Sequence, residues 1–162
     1  MESEKMKILL ADDNVHLRNF FKDKILNSTD FEVIAETDDG DEELKMILEL
    51  KPDIVVTDLK RAKGISGYDV IKKYYDLGLS DIDFIVTTGV YYQHLFHDLQ
   101  EMGVSYILNK PFDFERLIEE IYIVRDNRLG KHAEIQKKTE KDKNKKNFTG
   151  IIYKIRDMII RK

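Results

Sequence analysis

Short apolar segments alternate with amphipathic ones along the first 125 residues, and this alternation restricts the fold more than any other feature. The apolar segments are residues 8–11, 33–35, 54–57, 84–87 and 104–108. The first, third and fourth are almost continuously apolar, which is typical of strands buried on both faces. They predict a parallel sheet covered by helices on both sides.

Amphipathic segments follow each of these strands and predict five helices, at residues 15–26, 42–50, 68–77, 91–102 and 114–124. In the second, Leu44, Ile47 and Leu48 recur at helical spacing. Strand and helix therefore alternate five times, and crossovers of this kind are right-handed. The expected fold is α/β, a flavodoxin-like, doubly wound, five-stranded parallel sheet with strand order 2-1-3-4-5.

Polar residues follow four of the predicted strands. Asp12 and Asp13 follow the first, Asp58 the third, Thr88 the fourth and Lys110 the fifth. In an open parallel sheet these strand ends lie at the edge where ligands bind. Clustered carboxylates repel one another unless a cation neutralises them, and Mg²⁺ prefers oxygen ligands. A carboxylate can also attack a phosphoryl group, whose charge Lys110 would neutralise while Thr88 bonds one of its oxygens.

A simpler interpretation exists for each residue taken singly. Asp12 and Asp13 are placed to cap a helix that starts near Asn14, and Asp58 could cap a turn. The joint presence of Thr88 and Lys110 at neighbouring strand ends favours a phosphoryl site over separate caps.

Four separated motifs carry a resemblance to the response-regulator receiver family. They are residues 8–14 (ILLADDN), 53–58 (DIVVTD), 87–89 (TTG) and 110–112 (KPF). The resemblance covers about residues 5–125 and implies that Asp58 is the phosphoacceptor. It further implies that Mg²⁺ binds Asp12, Asp13, Asp58 and the backbone carbonyl of Lys60, and that the bond before Pro111 is cis.

The resemblance also implies partners and a signalling role. The donor would be a histidine kinase or a histidine phosphotransfer protein, and a homodimer through the fourth helix, fifth strand and fifth helix is a candidate assembly. Beyond slow phosphoryl uptake and loss of its own, no enzymatic activity is expected. Residues 11–14, 31–35 and 103–113 resemble the receiver of the stage-zero sporulation master regulator, which suggests sporulation-type regulation.

Two departures from the receiver pattern keep alternatives open. The usual Met-Pro pair after the phosphoacceptor is replaced by Arg61 and Ala62, in a loop one residue longer than usual. The ammonium group of Lys60 in this loop could sit against the acidic cluster and compete with metal. The aromatic residue usual three positions before the lysine is Ile107. A degenerate receiver that binds a partner without phosphorylation is therefore one alternative, and a truncated DNA-binding transcription regulator is another.

Charge divides the chain into pieces. Residues 1–124 carry 14 Lys and Arg against 26 Asp and Glu, whereas residues 125–162 carry 13 against 5. We predict a receiver domain over 1–125, a charged linker over 126–147 and an amphipathic basic helix over 148–162. That helix could pack on the body, pair with a second chain or touch a membrane surface. Residues 148–155 are similar to the start of the sporulation regulator's DNA-binding domain, but no full domain of that kind follows, so autonomous DNA binding is not expected.

Composition excludes several classes of site. The absence of cysteine rules out disulfides and thiolate chemistry. The acidic, polar N-terminus is unlike a signal peptide, and no apolar run approaches the roughly 20 residues of a membrane span. The expected location is the cytoplasm.

Overall fold

The computed structural model describes residues 4–90, 93–104 and 106–130, in which strands and helices alternate. The strands are β1 Met6–Ala11, β2 Phe31–Thr37, β3 Ile54–Asp58, β4 Asp83–Thr88 and β5 Tyr106–Asn109. The helices are α1 Val15–Ile25, α2 Gly40–Leu50, α3 Gly67–Asp76, α4 Gln93–Glu101 and α5, residues 114–130.

All the strands are parallel, in the order β2-β1-β3-β4-β5. This confirms the predicted flavodoxin-like, doubly wound sheet. Ala11 lies beside Thr57, and Asp58 lies beside Thr87, so β1, β3 and β4 end at the same level. The residues that follow these strands are thereby brought to one edge.

The three central strands are buried on both faces because successive side chains point to opposite sides. One face packs against α2, α3 and α4 in a cluster that includes Leu9, Ala11, Val55, Phe84, Val86, Ile47, Val70, Ile71, Tyr74 and Leu99. On the other face, a small cavity is lined by Leu10, Val56, Leu17, Phe21 and Leu117, from two strands and from α1 and α5. Side chains from both faces therefore fix the sheet in place.

Several element ends differ from the sequence expectation for local reasons. Helix α2 begins at Gly40 rather than at residue 42, because the Asp39 carboxylate accepts hydrogen bonds from the N–H groups of the first turn. Strand β5 begins at Tyr106 rather than at residue 104, because the N–H of Val104 instead bonds the carbonyl of Leu99 in α4. Helices α3 and α4 are each followed by a glycine with a positive φ angle, Gly78 (75°) and Gly103 (102°), as is usual where a helix ends.

The chain divides into two compact units, residues 1–123 and 124–162. Of the second unit, the structure describes residues 124–130, which are helical. The rest of the predicted linker and the predicted helix over 148–162 lie outside the described residues, so those domain limits stay predictions. No helix among the described residues is both long enough and apolar enough to span a membrane.

Gly67, the first residue of α3, provides a test of how closely α3 approaches β3. A Cβ atom at this position would lie 2.2 Å from the Asp58 carbonyl oxygen. Gly67→Ala should therefore displace the backbone at Asp58 and lower the free energy of unfolding by about 1–3 kcal/mol, measured by urea denaturation. At Gly130 the structure shows no heavy atom within 4 Å of such a Cβ, so Gly130→Ala is the matched control. Equal stability of the two variants would contradict the close approach.

Candidate phosphoacceptor site

Three carboxylates meet at the carboxyl edge of the sheet, as the strand ends predict. Asp12 follows β1 and is 2% exposed, and Asp58 ends β3 and is 6% exposed. Asp13 is exposed. Each offers a carboxylate oxygen, and these oxygens lie within 4.8 Å of one another. Burial of two like charges so close together requires a neutralising cation.

Lys110 supplies that cation. Its Nζ lies 2.7 Å from Oδ2 of Asp58 and 2.9 Å from Oδ2 of Asp12. Its own N–H donates to the carbonyl of Thr88 (2.7 Å), and the bond to Pro111 is cis, as the resemblance implied. Burial alone would lower the pKa of Lys110, but the hydrogen bonds and charges of Asp58 and Asp12 outweigh it and hold the pKa above its usual value.

Both carboxylate oxygens of Asp12 accept further hydrogen bonds. Oδ1 accepts one from the N–H of Asn14 (2.8 Å), and Oδ2 accepts one from the Thr87 hydroxyl (3.2 Å). The Arg18 guanidinium donates to the Asp12 backbone carbonyl. Sequence reasoning missed Thr87 and Arg18. The sequence offered a signal for each. Thr87 directly precedes the predicted Thr88 at the same strand end, and Arg18 is a cation in the first turns of the helix that begins after Asn14.

Asp58 faces an open pocket. Its Oδ1 accepts the N–H of Lys60 (3.1 Å), which places that residue's backbone beside the carboxylate. The pocket has a volume of about 430 Å³ and is lined by Asp13, Asp58, Lys60, Arg61, Ala62, Gly89, Val90 and Lys110. Carboxylate oxygens gathered beside an open pocket fit the oxygen preference of Mg²⁺. Among the described residues, no ion pair joins the Lys60 ammonium to the acidic cluster.

Thr88 is buried at the end of β4, and its hydroxyl serves the turn that follows. Its Oγ1 accepts the N–H of Val90 (3.1 Å) and donates to the carbonyl of the same residue (3.3 Å). The structure thus places Thr88 at the predicted edge, with its hydroxyl bonded within the chain's own turn. Next to it, a Cβ on Gly89 would still lie 3.9 Å from Lys110 Cβ, so the entrance is open at this point. Ile107 packs against the core cluster on the α2–α4 face.

Arg61 is the main functional candidate that sequence reasoning did not assign. Its side chain is fully buried and pairs with the fully buried Glu43 of α2, with Nη2 and Oε2 2.5 Å apart. The guanidinium also donates to the carbonyl of Asp58 (3.2 Å from Nε) and to that of Ala11 (3.0 Å from Nη2). A signal existed in the sequence, because Glu43 stands four residues before Ile47 and so on the apolar face of α2.

Burial dominates the protonation of Glu43. It raises the pKa of the carboxyl from 4.5 to about 7, although the neighbouring Arg61 lowers it. The 2.5 Å contact with Arg61 is an ion pair rather than a well-angled hydrogen bond, because neither Glu43 oxygen accepts one among the described residues. A buried carboxylate with incomplete hydrogen bonding is costly to ionise.

Residues 8–122 match the family described as the response regulator receiver domain. The chain belongs to this family. Receiver domains exchange signals with histidine kinases or phosphotransfer proteins in two-component systems, so this receiver is a signal-transduction module. The predicted family is confirmed.

Among curated relatives, oxygen regulatory protein NreC of Staphylococcus aureus (strain JH9) is 33% identical over 113 residues, which are 70% of this chain and 52% of that protein. This receiver chain thus spans about half the length of the curated relatives that it matches. The sporulation context stays a prediction.

Solved structures agree with the receiver fold. A DNA-binding response regulator of the LuxR family from Staphylococcus aureus is 28% identical with a TM-score of 0.65, covering 74% of this chain and 98% of that chain. The receiver domain of AraT, a response regulator from Geobacillus stearothermophilus, is 28% identical with a TM-score of 0.68, covering 80% of this chain and 99% of that one.

The raised pKa of Glu43 predicts a pH dependence of stability. The folded chain binds the Glu43 proton more tightly than the unfolded chain does. The resulting stabilisation is full below about pH 4.5 and is lost as the pH rises through about 7. Glu43→Gln removes this titration. The free energy of unfolding of the parent minus that of the variant should therefore fall between about pH 5 and pH 8, measured by urea denaturation.

Glu49→Gln, which removes an exposed carboxylate from the same helix, is the matched control for this measurement. A difference between parent and Glu43→Gln that stays constant or increases with pH would contradict the effect of burial on Glu43.

Proposed function

We propose that this receiver accepts a phosphoryl group on Asp58 from a phosphohistidine of a kinase or phosphotransfer protein. The observation that supports this most strongly is the Lys110 ammonium, which contacts both Asp58 and Asp12 beside an open pocket. Phosphoryl transfer depends on positioning and on charge neutralisation, and this arrangement offers both.

In the transfer step, a carboxylate oxygen of Asp58 attacks the phosphorus and forms an acyl phosphate. The bond between phosphorus and the histidine nitrogen breaks, and the imidazole leaves with the electron pair and takes up a proton from solvent. Lys110 neutralises charge on the phosphoryl oxygens, as a positioned cation does in other phosphoryl-transfer sites. The N–H of Lys60 holds the Asp58 carboxylate in place from the other side.

Mg²⁺ fits this site, with the carboxylates of Asp12, Asp13 and Asp58 and the backbone carbonyl of Lys60 as its proposed ligands. When bound, it would supply positive charge to these carboxylates and to the incoming phosphoryl group. The chain's own contribution is to hold Asp12 rigid, through Asn14 and Thr87, so that the ligand geometry is set in advance.

Output follows from a change in hydrogen bonding at β4. The Thr88 hydroxyl would exchange its bonds to Val90 for a bond to a phosphoryl oxygen, and the turn before α4 would move with it. We propose that this change is passed on by protein contact, with the α4–β5–α5 face as the candidate homodimer surface. The chain acts as a phosphoryl carrier, with no catalysis beyond its own slow phosphorylation and dephosphorylation. A role in sporulation-type control and the absence of autonomous DNA binding belong to the same proposal.

A degenerate receiver is the second candidate, favoured by two observations. Ile107 replaces the usual aromatic residue and packs into the core, and Arg61 occupies the loop next to the acceptor. A chain of this kind would bind a partner without phosphorylation. The melting temperature measured at increasing Mg²⁺ concentrations separates the two functions, because a ligand that binds the folded state raises stability. No response at millimolar Mg²⁺ would favour the degenerate function.

Phosphorylation on Asp58 is tested with labelled acetyl phosphate and Mg²⁺. The parent should take up one phosphoryl group, and Asp58→Asn should take up none, because an amide is not a nucleophile of this kind. Asp76→Asn is the matched control, since Asp76 is an exposed carboxylate on α3 paired with Lys72. Labelling of Asp58→Asn equal to that of the parent would refute the assignment.

A further inference from the structure

The loop between β3 and α3, residues 59–66, sends one of its cations into the protein interior. The side chains of Arg61 and of its partner Glu43 are both 0% exposed. A buried ion pair is a weak source of stability, because desolvating two charges costs about as much as their attraction returns. Stability alone therefore does not explain why this pair contacts the backbone of Asp58.

The Arg61 guanidinium joins the ends of two strands. It donates to the carbonyl of Ala11, which directly precedes the acidic pair, and to the carbonyl of Asp58 itself. It also donates to the hydroxyl of Thr57. The planar fork of arginine places donors on separate nitrogens, so that Nε reaches Asp58 and Nη2 reaches Ala11, whereas a lysine carries all its donors on one atom.

Glu43 anchors this guanidinium to α2, and the loop is packed against the start of the same helix. The N–H of Gly40 donates to the carbonyl of Lys63 (3.2 Å). A Cβ atom at Gly40 would lie 1.9 Å from the carbonyl oxygen of Ile65, and one at Gly64 would lie 2.5 Å from Oδ1 of Asp39. The longer loop is thus held against α2 at two places. Residues 63–65 pack closely on the start of the helix, and Arg61 pairs with Glu43 one turn further along.

We propose that Arg61 and Glu43 are positioning residues that hold the Asp58 backbone, the end of β1 and the Lys60 carbonyl in the geometry that binds Mg²⁺. This inference rests on the proposed function, because it assigns a metal to the acidic cluster. Hydrogen bonds to the groups that ligate a metal orient those ligands, and their loss weakens metal affinity by about 10- to 100-fold. A merely structural pair would affect stability and leave Mg²⁺ affinity unchanged.

The test replaces both partners, since removal of one alone would leave an unpaired buried charge. The variant is Arg61→Met with Glu43→Met, which keeps the apolar volume. The matched control is Lys63→Gln with Asp38→Asn, an exposed ion pair (2.7 Å) of which Lys63 lies in the same loop. For each chain, urea denaturation reports folding, and the rise of the melting temperature with Mg²⁺ concentration gives the half-saturating concentration.

We expect the Met/Met variant to fold and to need at least about tenfold more Mg²⁺ for half-saturation, and the Gln/Asn control to match the parent. Half-maximal labelling by acetyl phosphate should likewise require a higher Mg²⁺ concentration in this variant. A folded Met/Met variant with the parent's half-saturating concentration would overturn the proposal.

Arg61→Lys gives a second test that does not depend on the folding of the Met/Met variant. It keeps the charge beside Glu43 and loses the fork that reaches the Ala11 and Asp58 carbonyls, so its Mg²⁺ half-saturation should also rise. An unchanged value would again overturn the role of Arg61. A parent chain that shows neither a Mg²⁺ response nor labelling would reject the proposed function itself. A responsive parent with unaltered variants would reject only the positioning role.

Discussion

The Lys110 ammonium contacts two buried carboxylates, and the arrangement of the whole carboxyl edge depends on this contact. Asp12 comes from the end of β1, Asp58 from the end of β3, and Lys110 directly follows β5. Without the ammonium group, two like charges would lie close together in a region with little access to water. With it, three strand ends are joined across the sheet, beside the open pocket that Asp58 and Lys110 line.

A second cation, Arg61, contacts the ends of β1 and β3 from inside the protein. Arg61 bonds the backbone at the ends of β1 and β3, whereas Lys110 bonds the side chains at the same ends. The two cations are held differently, because Lys110 borders the pocket and Arg61 is enclosed with Glu43. The loop after Asp58 is thus supported from inside the protein, because the buried Arg61 pairs with Glu43 of α2. The departure from the family pattern after Asp58 therefore adds a buried contact to α2, while Lys110 still contacts Asp12 and Asp58.

The sequence predicted those parts of the molecule that depend on local pattern. Near-continuous apolar strands predict burial on both faces, and the positions just after them predict Asp12, Asp58 and Lys110 at one edge. The Arg61–Glu43 pair could not be predicted in the same way, because it depends on how a surface-type loop folds back on α2. A charged residue in a loop is ordinarily solvated, and only the tertiary packing shows that Arg61 is enclosed. The start of β5 was misplaced for a similar reason, since the N–H of Val104 is used by the end of α4.

The central claim, that Asp58 is the phosphoacceptor, is tested most directly by mass spectrometry of the intact parent chain after incubation with acetyl phosphate and Mg²⁺. We expect the addition of one phosphoryl group, its removal by hydroxylamine as expected of an acyl phosphate, and its location on the peptide that contains Asp58. No addition, or a stable addition on another peptide, would contradict it.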